Sequence, residues 1–356
     1  MRRAALPWLL AAFAHAQTVP LTINPARLLH PIDPKLYGHS LSTGLHDATA
    51  GAHPTLLRWS PSAAWKSDPK PVAAFFALVQ NLRAVPVLVI PAKAESAEFV
   101  AYSNSPRDTT WGKLRVRDGH AEPYRVKYWE LDLETSELTP DQTVEFLTAF
   151  VPALKKIDPA ITILAPAPPP AAAHLIDILS LPRPEDATAS AWQDLAAHKP
   201  RLKLFPSAWT VPTADWRGAL SAARLFNAME REPAIAMAAS ANNPIVRAVA
   251  GFYQDHFLPQ LLAITGASSD LDVVATTNFE ADRIVVKLVN PLPRETAVSI
   301  NLRGDFPLLN ATLQLASTDS LDARTFRPTD AKPDRSGMGV RLTLPRWSIA
   351  IVTLSR

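Results

Sequence analysis

Residues 126–134 read Val-Lys-Tyr-Trp-Glu-Leu-Asp-Leu-Glu, and this stretch predicts a β-strand with two different faces. Successive side chains of a strand point to opposite sides, so three carboxylates are expected on one face and apolar side chains on the other. The carboxylates are those of Glu130, Asp132 and Glu134. Burying them is costly unless they are paired or used chemically. Two interpretations stay open from the spacing alone: a solvated edge strand, or an inner strand whose acids have partners.

The segments around this strand alternate between strands and helices. Eight predicted strands follow one another from Leu36 onward, and most are separated by helices, which favours a (β/α)8 TIM barrel. One such helix is predicted after the cap Thr139 and runs through apolar positions to Leu154. A Pro/Ala tract at 166–173 stands where a later helix is expected, so the barrel is predicted to be shortened. From Asp270 onward only strand-like alternation remains, which predicts a C-terminal antiparallel β-sandwich.

These patterns divide the chain into four predicted parts. The parts are a signal peptide at 1–16, a lead-in strand at 17–35 that joins the sandwich, the barrel at 36–266, and the sandwich at 267–356. The signal peptide is predicted from Arg2 and Arg3, a short apolar run, and a cleavage site of the form Ala-His-Ala that ends at Ala16. The alternative for this segment is a buried N-terminal helix. We therefore expect a secreted or periplasmic protein.

Composition excludes several classes of function. The chain of 356 residues is 47% hydrophobic and 19% charged, which is typical of a globular protein. Its formal net charge is +3 and includes Arg2 and Arg3, and no basic stretch with interleaved aromatic residues occurs, so no nucleic-acid partner is expected. Zero cysteines exclude disulfides and thiolate chemistry. The histidines, such as His46 and His53, lack a metal-ligand spacing, and we expect no cofactor, no metal, and no membrane partner once the signal is removed.

Four short segments between Ala97 and Leu131 carry a resemblance to a known family. They are residues 97–104 (AEFVAYSN), 111–115 (WGKLR), 118–124 (DGHAEPY) and 126–131 (VKYWEL). In this succession the chain resembles the α-L-arabinofuranosidases of glycoside hydrolase family 51, and weaker likeness extends from Ile23 to the C-terminus. The resemblance implies an eight-fold barrel with a β-sandwich, and hydrolysis by two carboxylates.

The resemblance places those two carboxylates at the ends of barrel strands four and seven. Glu134 matches the acid/base, although Asp132 and Leu133 replace the glycine and asparagine that precede it in the family. The nucleophile usually precedes a tryptophan, and here Ala208 precedes Trp209. A retaining glycosidase needs a second carboxylate about 5–5.5 Å from the first, and alanine cannot attack a sugar.

Other positions that bind sugar in the family have also changed. Ser42 stands for a glutamate, Pro182 for a histidine, and residues 58–62 (Arg-Trp-Ser-Pro-Ser) for an Arg-x-Pro-Gly-Gly motif. The remaining candidates for sugar contact are Arg58, Trp59, Trp111, Asp132 and Trp209. For each tryptophan, ordinary packing is an equally good interpretation. Arg58 is also a candidate ion partner for the acids of strand four.

Two functional hypotheses follow. The first is a secreted α-L-arabinofuranosidase-like protein that has lost most or all catalysis and keeps a carbohydrate-binding or structural role toward arabinose-containing polysaccharide or oligosaccharide. The second is an active glycosidase in which Glu134 works with a rebuilt second carboxylate. Asp132 and Glu130 are expected on its face, and residues two apart on a strand are about 6.6 Å apart, close to the smallest separation used by inverting enzymes. Two acids on one strand, however, do not face each other across a sugar.

Overall fold

The computed structural model describes residues 18–41, 53–181, 190, 194–195, 203–337 and 339–356. The predicted signal peptide, Ser42, His46, Pro182 and most of a helix predicted at 187–197 lie outside this part of the chain. The strands are β1 (Val19–Pro31), β2 (Gly38–Leu41), β3 (Leu56–Trp59), β4 (Val85–Pro91), β5 (Tyr128–Asp132), β6 (Thr162–Pro166), β7 (Ile178–Leu181), β8 (Lys203–Pro206), β9 (Ala239–Ser240), β10 (Gln260–Thr265), β11 (Asp272–Thr277), β12 (Arg283–Asn290), β13 (Thr296–Leu302), β14 (Asn310–Ser317), β15 (Thr329–Ala331), β16 (Asp334–Ser336), β17 (Gly339–Leu344) and β18 (Ser348–Ser355).

The α-helices are α1 (Lys70–Leu82), α2 (Ser96–Asn104), α3 (Thr110–Arg117), α4 (Pro140–Ile157), α5 (Trp216–Arg231) and α6 (Pro244–Gln254). Helix α4 begins as predicted, because Thr139 and Gln142 form a reciprocal capping box that satisfies two backbone N–H groups. The Pro/Ala tract forms no α-helix and contains the 3-10 helix Pro170–Leu175. Proline removes a backbone donor and crowds the preceding turn, which explains the short element. No helix among the described residues is long and apolar enough to cross a membrane.

Strands β2 to β9 form the predicted barrel. Neighbouring strands are parallel, in the order β8-β7-β6-β5-β4-β3-β2-β9. Isolated parallel bridges, Leu204 to Ile235 and Trp209 to Ser240, join the two ends of this order and close the ring. Alternate side chains fill the interior, among them Val87, Leu164 and Phe205, while the opposite face of each strand packs on the helices. The prediction of a TIM barrel is confirmed.

The remaining strands form the predicted C-terminal antiparallel layer. Its ten strands follow the order β15-β14-β18-β12-β11-β10-β1-β13-β17-β16. All its pairs are antiparallel except that of β1 with β13. The lead-in strand β1 therefore lies inside this layer, between β10 and β13. Apolar side chains such as Leu288, Ile300 and Val352 alternate toward its core.

The predicted end of the barrel needs a correction. The sequence pattern extended the last barrel helix to Ile264 and the barrel to residue 266. Helix α6 instead ends at Gln254, and Gln260–Thr265 forms β10 of the second layer. Pro259 supplies the physical reason, because proline cannot continue a helix and disfavours helical backbone at the residue before it.

A buried ion pair joins the barrel to the second layer. The ammonium group of Lys287 on β12 contacts the carboxylate of Glu230 on α5, and the Tyr37 hydroxyl donates to the same carboxylate oxygen. Lys287 is 0% exposed and Glu230 is 1% exposed. The Lys287 ammonium also lies 4.9 Å from the ring centroid of Tyr253 on α6. This cluster fixes the orientation of the two layers, since a charge buried here is stable only with its partner in place.

Candidate active site

Glu130 lies in the interior of the barrel, where one side chain from β3 and one from the end of β8 hold its carboxylate. It is 1% exposed, and Arg58 Nε on β3 donates to its Oε2 over 2.6 Å. The hydroxyl of Ser207, just after β8, donates to Oε1 over 3.2 Å. Arg58 Nη1 in turn donates to Ser40 Oγ on β2 over 3.0 Å. The predicted partnership of Arg58 with an acid of barrel strand four, which is β5, is thus present for Glu130. The Arg58 guanidinium balances the charge of Glu130, and both carboxylate oxygens accept hydrogen bonds.

Asp132 and Glu134 have different surroundings from Glu130. The strand β5 ends at Asp132, whose carboxylate accepts from the backbone N–H of Thr135 at 3.1 Å and from its hydroxyl at 2.6 Å. This turn redirects the chain, so the expected continuous strand to residue 134 is wrong. Glu134 lies beyond the strand end and is exposed. The three carboxylates therefore divide into a buried ion partner, a turn-forming acid and an exposed acid.

The end of β8 carries no acidic side chain at the position expected for the nucleophile. Residues 207–209 are Ser-Ala-Trp, and Ala208 is partly buried there. The backbone is anchored at this point, because Trp209 N–H donates to the carbonyl of Ala239 over 3.2 Å. Position 208 therefore carries only a methyl group. It lies at the carboxyl end of a barrel strand, which is where catalytic residues of this fold class lie.

The tryptophans predicted to contact sugar are buried to different extents. Trp59 is 7% exposed and stacks on Phe75, with ring centroids 4.6 Å apart. Trp209 is 1% exposed, and the edge-to-face contact with Phe226 at 5.1 Å places it in the core beneath α5. Trp111 on α3 is partly buried, with the Lys66 ammonium 5.3 Å from its ring centroid. The rings of Trp59 and Trp209 therefore have no free face for a sugar, and Trp111 keeps part of its surface open.

Sequence reasoning missed two members of this site, Ser40 and Ser207. Each is a small hydroxyl that completes a hydrogen bond to the Arg58 and Glu130 pair. The period-two pattern of β8 does place Ser207 on the same face as the interior Phe205, so alternation offered a signal for it. Its contact with a residue 77 positions away depends on barrel closure, which the sequence pattern does not specify. Among the described residues, no group of three histidine, aspartate or glutamate side chains is placed to hold a metal.

A buried histidine beside the barrel gives a prediction about pH. His39 on β2 is 4% exposed, and its Nδ1 lies 3.0 Å from Ser240 Oγ. Burial and, to a smaller extent, the positive charge of Arg247 together lower the pKa of His39 from 6.5 to about 4. The unfolded chain therefore binds a proton more tightly than the folded chain as pH falls below 6.5.

We expect His39 to remove about 3 kcal/mol of folding free energy as pH falls from neutral toward 4. The stabilisation is complete above the unfolded pKa and is lost as pH falls through the folded pKa. Urea unfolding at several pH values should show that the free energy of unfolding falls less steeply with decreasing pH for His39→Asn than for the unmodified protein. The exposed His53 provides the control, and His53→Asn should keep the original slope. Equal slopes for all three proteins would contradict the assignment to His39.

Comparison with known proteins identifies the scaffold. Residues 72–199 match a family model described as an alpha-L-arabinofuranosidase 1 domain. A probable alpha-L-arabinofuranosidase C from Aspergillus terreus is 34% identical over 76 residues, which cover 20% of this chain and 15% of that protein. The alpha-L-arabinofuranosidase C of Emericella nidulans is also 34% identical over 76 residues, with the same coverage. The chain thus spans 15% of the length of these curated relatives.

Solved structures extend the likeness across the whole fold. The alpha-L-arabinofuranosidase of Thermotoga maritima, in complex with arabinose, has a TM-score of 0.77 at 15% identity, covering 95% of this chain and 100% of that chain. The family 51 enzyme of Thermotoga petrophila has a TM-score of 0.78 at 15% identity, covering 94% and 99%. A family 44 xyloglucanase of Paenibacillus polymyxa has a TM-score of 0.71 at 11% identity, covering 96% and 100%. At these identities the likeness shows the fold.

Proposed function

On this α-L-arabinofuranosidase-like glycoside hydrolase scaffold, we propose a secreted protein that binds arabinose-containing polysaccharide or oligosaccharide and has lost the retaining hydrolytic reaction. The observation that carries the proposal is Ala208 at the carboxyl end of β8. A retaining mechanism needs a carboxylate there to form the glycosyl-enzyme intermediate, and a methyl group cannot form that bond. The family match over residues 72–199 supports arabinose as the sugar.

The surroundings of Glu130 and Asp132 on β5 support loss of the reaction. Glu130 is engaged by Arg58 and Ser207, and Asp132 by Thr135, so each of these two carboxylates already has hydrogen-bond partners within the protein. Leu133 cannot supply the hydrogen bond to a sugar hydroxyl that an asparagine offers in the family. Glu134 is exposed beyond the strand end, and a single acid provides proton transfer without a nucleophile.

An assay with an aryl α-L-arabinofuranoside tests the proposal. At high protein concentration we expect turnover of the unmodified protein to equal that of Glu134→Gln, because one carboxylate alone cannot complete the reaction. Calorimetry with arabinan and arabinoxylan fragments should show binding in both proteins. Clear hydrolysis with retention of configuration, abolished in Glu134→Gln, would overturn the loss of catalysis.

The alternative hypothesis, an active glycosidase, predicts a different result in the same hydrolysis assay. A rebuilt second carboxylate must come from elsewhere in the chain, and Asp47, Glu185 and Asp186 are acids outside the described residues. If turnover occurs, replacing each of these by its amide separately identifies the second carboxylate as the variant that loses activity. Export is tested independently by sequencing the N-terminus of the protein recovered outside the cytoplasm, where cleavage after Ala16 would expose Gln17.

A further inference from the structure

A cleft at the opposite end of the barrel has a composition that the proposed site does not explain. Its volume is about 750 Å³, and it lies between helix α6 and the second layer. Thr55, directly before β3, and Asp255, directly after α6, place it at the amino-terminal ends of the barrel strands, whereas Ala208 and Glu134 follow strand carboxyl ends. Gln314 of β14 and Phe326 complete it from the second layer. We call these residues, together with Phe252, Phe257 and Gln254, the basal cleft.

Aromatic rings form the rigid part of the basal cleft. Phe252 is 5% exposed and meets Phe326 edge to face, with centroids 5.7 Å apart. Phe257 meets the buried Tyr37 in the same way at 6.0 Å. Phe326 also contacts the ring of Trp216 at 5.6 Å. Phe257 and Phe326 are only partly buried, and both line the cleft. Pre-positioned rings of this kind bind a ligand with apolar patches at a small entropic cost.

Three polar side chains of the basal cleft each donate a hydrogen bond to a neighbouring oxygen. The Gln254 amide N–H donates to the carbonyl of His53 over 2.7 Å, and the Gln314 amide N–H donates to Asp330 over 3.0 Å. The Thr55 hydroxyl donates to the carbonyl of Pro34 over 2.6 Å. These contacts hold the side chains in place. Each amide uses one of its two N–H groups, and the Thr55 hydroxyl uses its only hydrogen.

The basal cleft also contains oxygen atoms that can accept hydrogen bonds. Gln254 Oε1 is buried and has no hydrogen-bond partner among the described residues. The Asp255 carboxylate is exposed at the rim, and the Thr55 oxygen can still accept. The Asp255 and Thr55 oxygens can accept from the hydroxyls of a ligand, and the Gln254 and Gln314 amides each keep one N–H group. Aromatic surface together with several acceptors matches the two faces of a sugar ring, which are C–H groups and hydroxyls.

We propose that the basal cleft is a second saccharide-binding site that takes a short neutral oligosaccharide. Its volume lies within the range of about 300–1,000 Å³ typical of small-ligand sites, and it sits at a domain interface, where such sites are frequent. The choice of an arabinose oligomer as the first probe rests on the proposed function. The aromatic rings and the polar groups of the basal cleft are observed independently of that function.

Calorimetric titration with α-1,5-linked arabinotriose and with xylotriose tests this site. We expect Phe326→Ala and Asp255→Ala each to weaken one class of binding site about tenfold, because each removes a side chain that lines the cleft. Phe279→Ala is the matched control, since Phe279 is 76% exposed and lies outside the cleft. It should bind as the unmodified protein does. Asp255 is exposed, so its variant remains informative if Phe326→Ala unfolds.

The outcomes separate this proposal from the function proposed above. If the basal variants lose all saccharide binding, the basal site stands and binding at the mouth fails. Unchanged binding in both basal variants would overturn the basal site and leave the mouth untouched. Absence of binding by either trisaccharide to the unmodified protein also overturns the basal site. Binding of spermidine in place of sugar, lost in Asp255→Asn and suppressed by salt, would overturn it in favour of a cation site.

Discussion

Replacing Lys287 by methionine is expected to lower the free energy of unfolding by about 3–5 kcal/mol. The substitution leaves Glu230 as an uncompensated charge, because the carboxylate is 1% exposed and its Oε2 has no hydrogen-bond partner among the described residues. Burial lowers the pKa of Lys287, and the neighbouring Glu230 charge opposes this shift. Burial and the same carboxylate raise the pKa of Tyr37 well above its ordinary value, so its hydroxyl stays a donor.

Urea unfolding measures this loss, with two variants as controls. Lys66→Met removes the lysine of a pair with Glu98 whose side chains are 47% and 35% exposed, and its effect should stay below about 1 kcal/mol. The double variant Lys287→Met/Glu230→Leu removes both buried charges and should recover most of the stability, since an apolar pair avoids the cost of burial. A loss in Lys287→Met no larger than that in Lys66→Met would show that the buried pair does not join the two layers energetically.

The barrel was predictable because two local periodicities alternate along the chain. Strand-length apolar runs and capped helices such as α4 depend on neighbouring residues only, so the sequence pattern identifies them. The partnership of Glu130 was also foreseeable, since an acid facing a barrel interior needs a cation and Arg58 ends a nearby strand. The contact of Lys287 with Glu230 was not, because it crosses between layers over 57 positions and leaves no periodic signal.

The extent of the acidic strand shows where local chemistry overrides alternation. Residues 126–134 satisfy the period of two throughout, yet the strand ends at Asp132. The Asp132 carboxylate binds the N–H and hydroxyl of Thr135, and short side chains of this type compete with strand pairing by bonding nearby backbone. Glu134 is thereby moved out of the interior. This local turn separates an exposed acid from a buried one, which hydrophobic alternation alone could not distinguish.

Introducing a carboxylate at the end of β8 should create activity. We expect Ala208→Glu to raise turnover of an aryl α-L-arabinofuranoside by at least about a hundredfold over the unmodified protein, because removal of a catalytic carboxylate typically costs several orders of magnitude. The gain should be partial, since Leu133 and the altered Arg58–Ser62 segment still lack the family's sugar contacts. Position 208 is partly buried and directly follows the anchored Ser207, so the new side chain starts from a fixed backbone.

If position 208 and Glu134 have the arrangement found in a retaining enzyme, the activity gained in Ala208→Glu must depend on both acids. Ala208→Gln has the same shape without the nucleophilic oxygen and should stay at background. Ala208→Glu/Glu134→Gln should lose the gain for substrates with poor leaving groups, because they need proton donation. NMR of the first-formed product should show retention, as expected for carboxylates about 5–5.5 Å apart. Inversion, or activity that survives in Ala208→Gln, would mean that Glu134 and position 208 do not face each other across the sugar. An Ala208→Glu variant that has no activity but still binds arabinotriose would instead assign the loss of function to the sugar contacts around Leu133. The missing nucleophile would then be only one of several changes that ended catalysis.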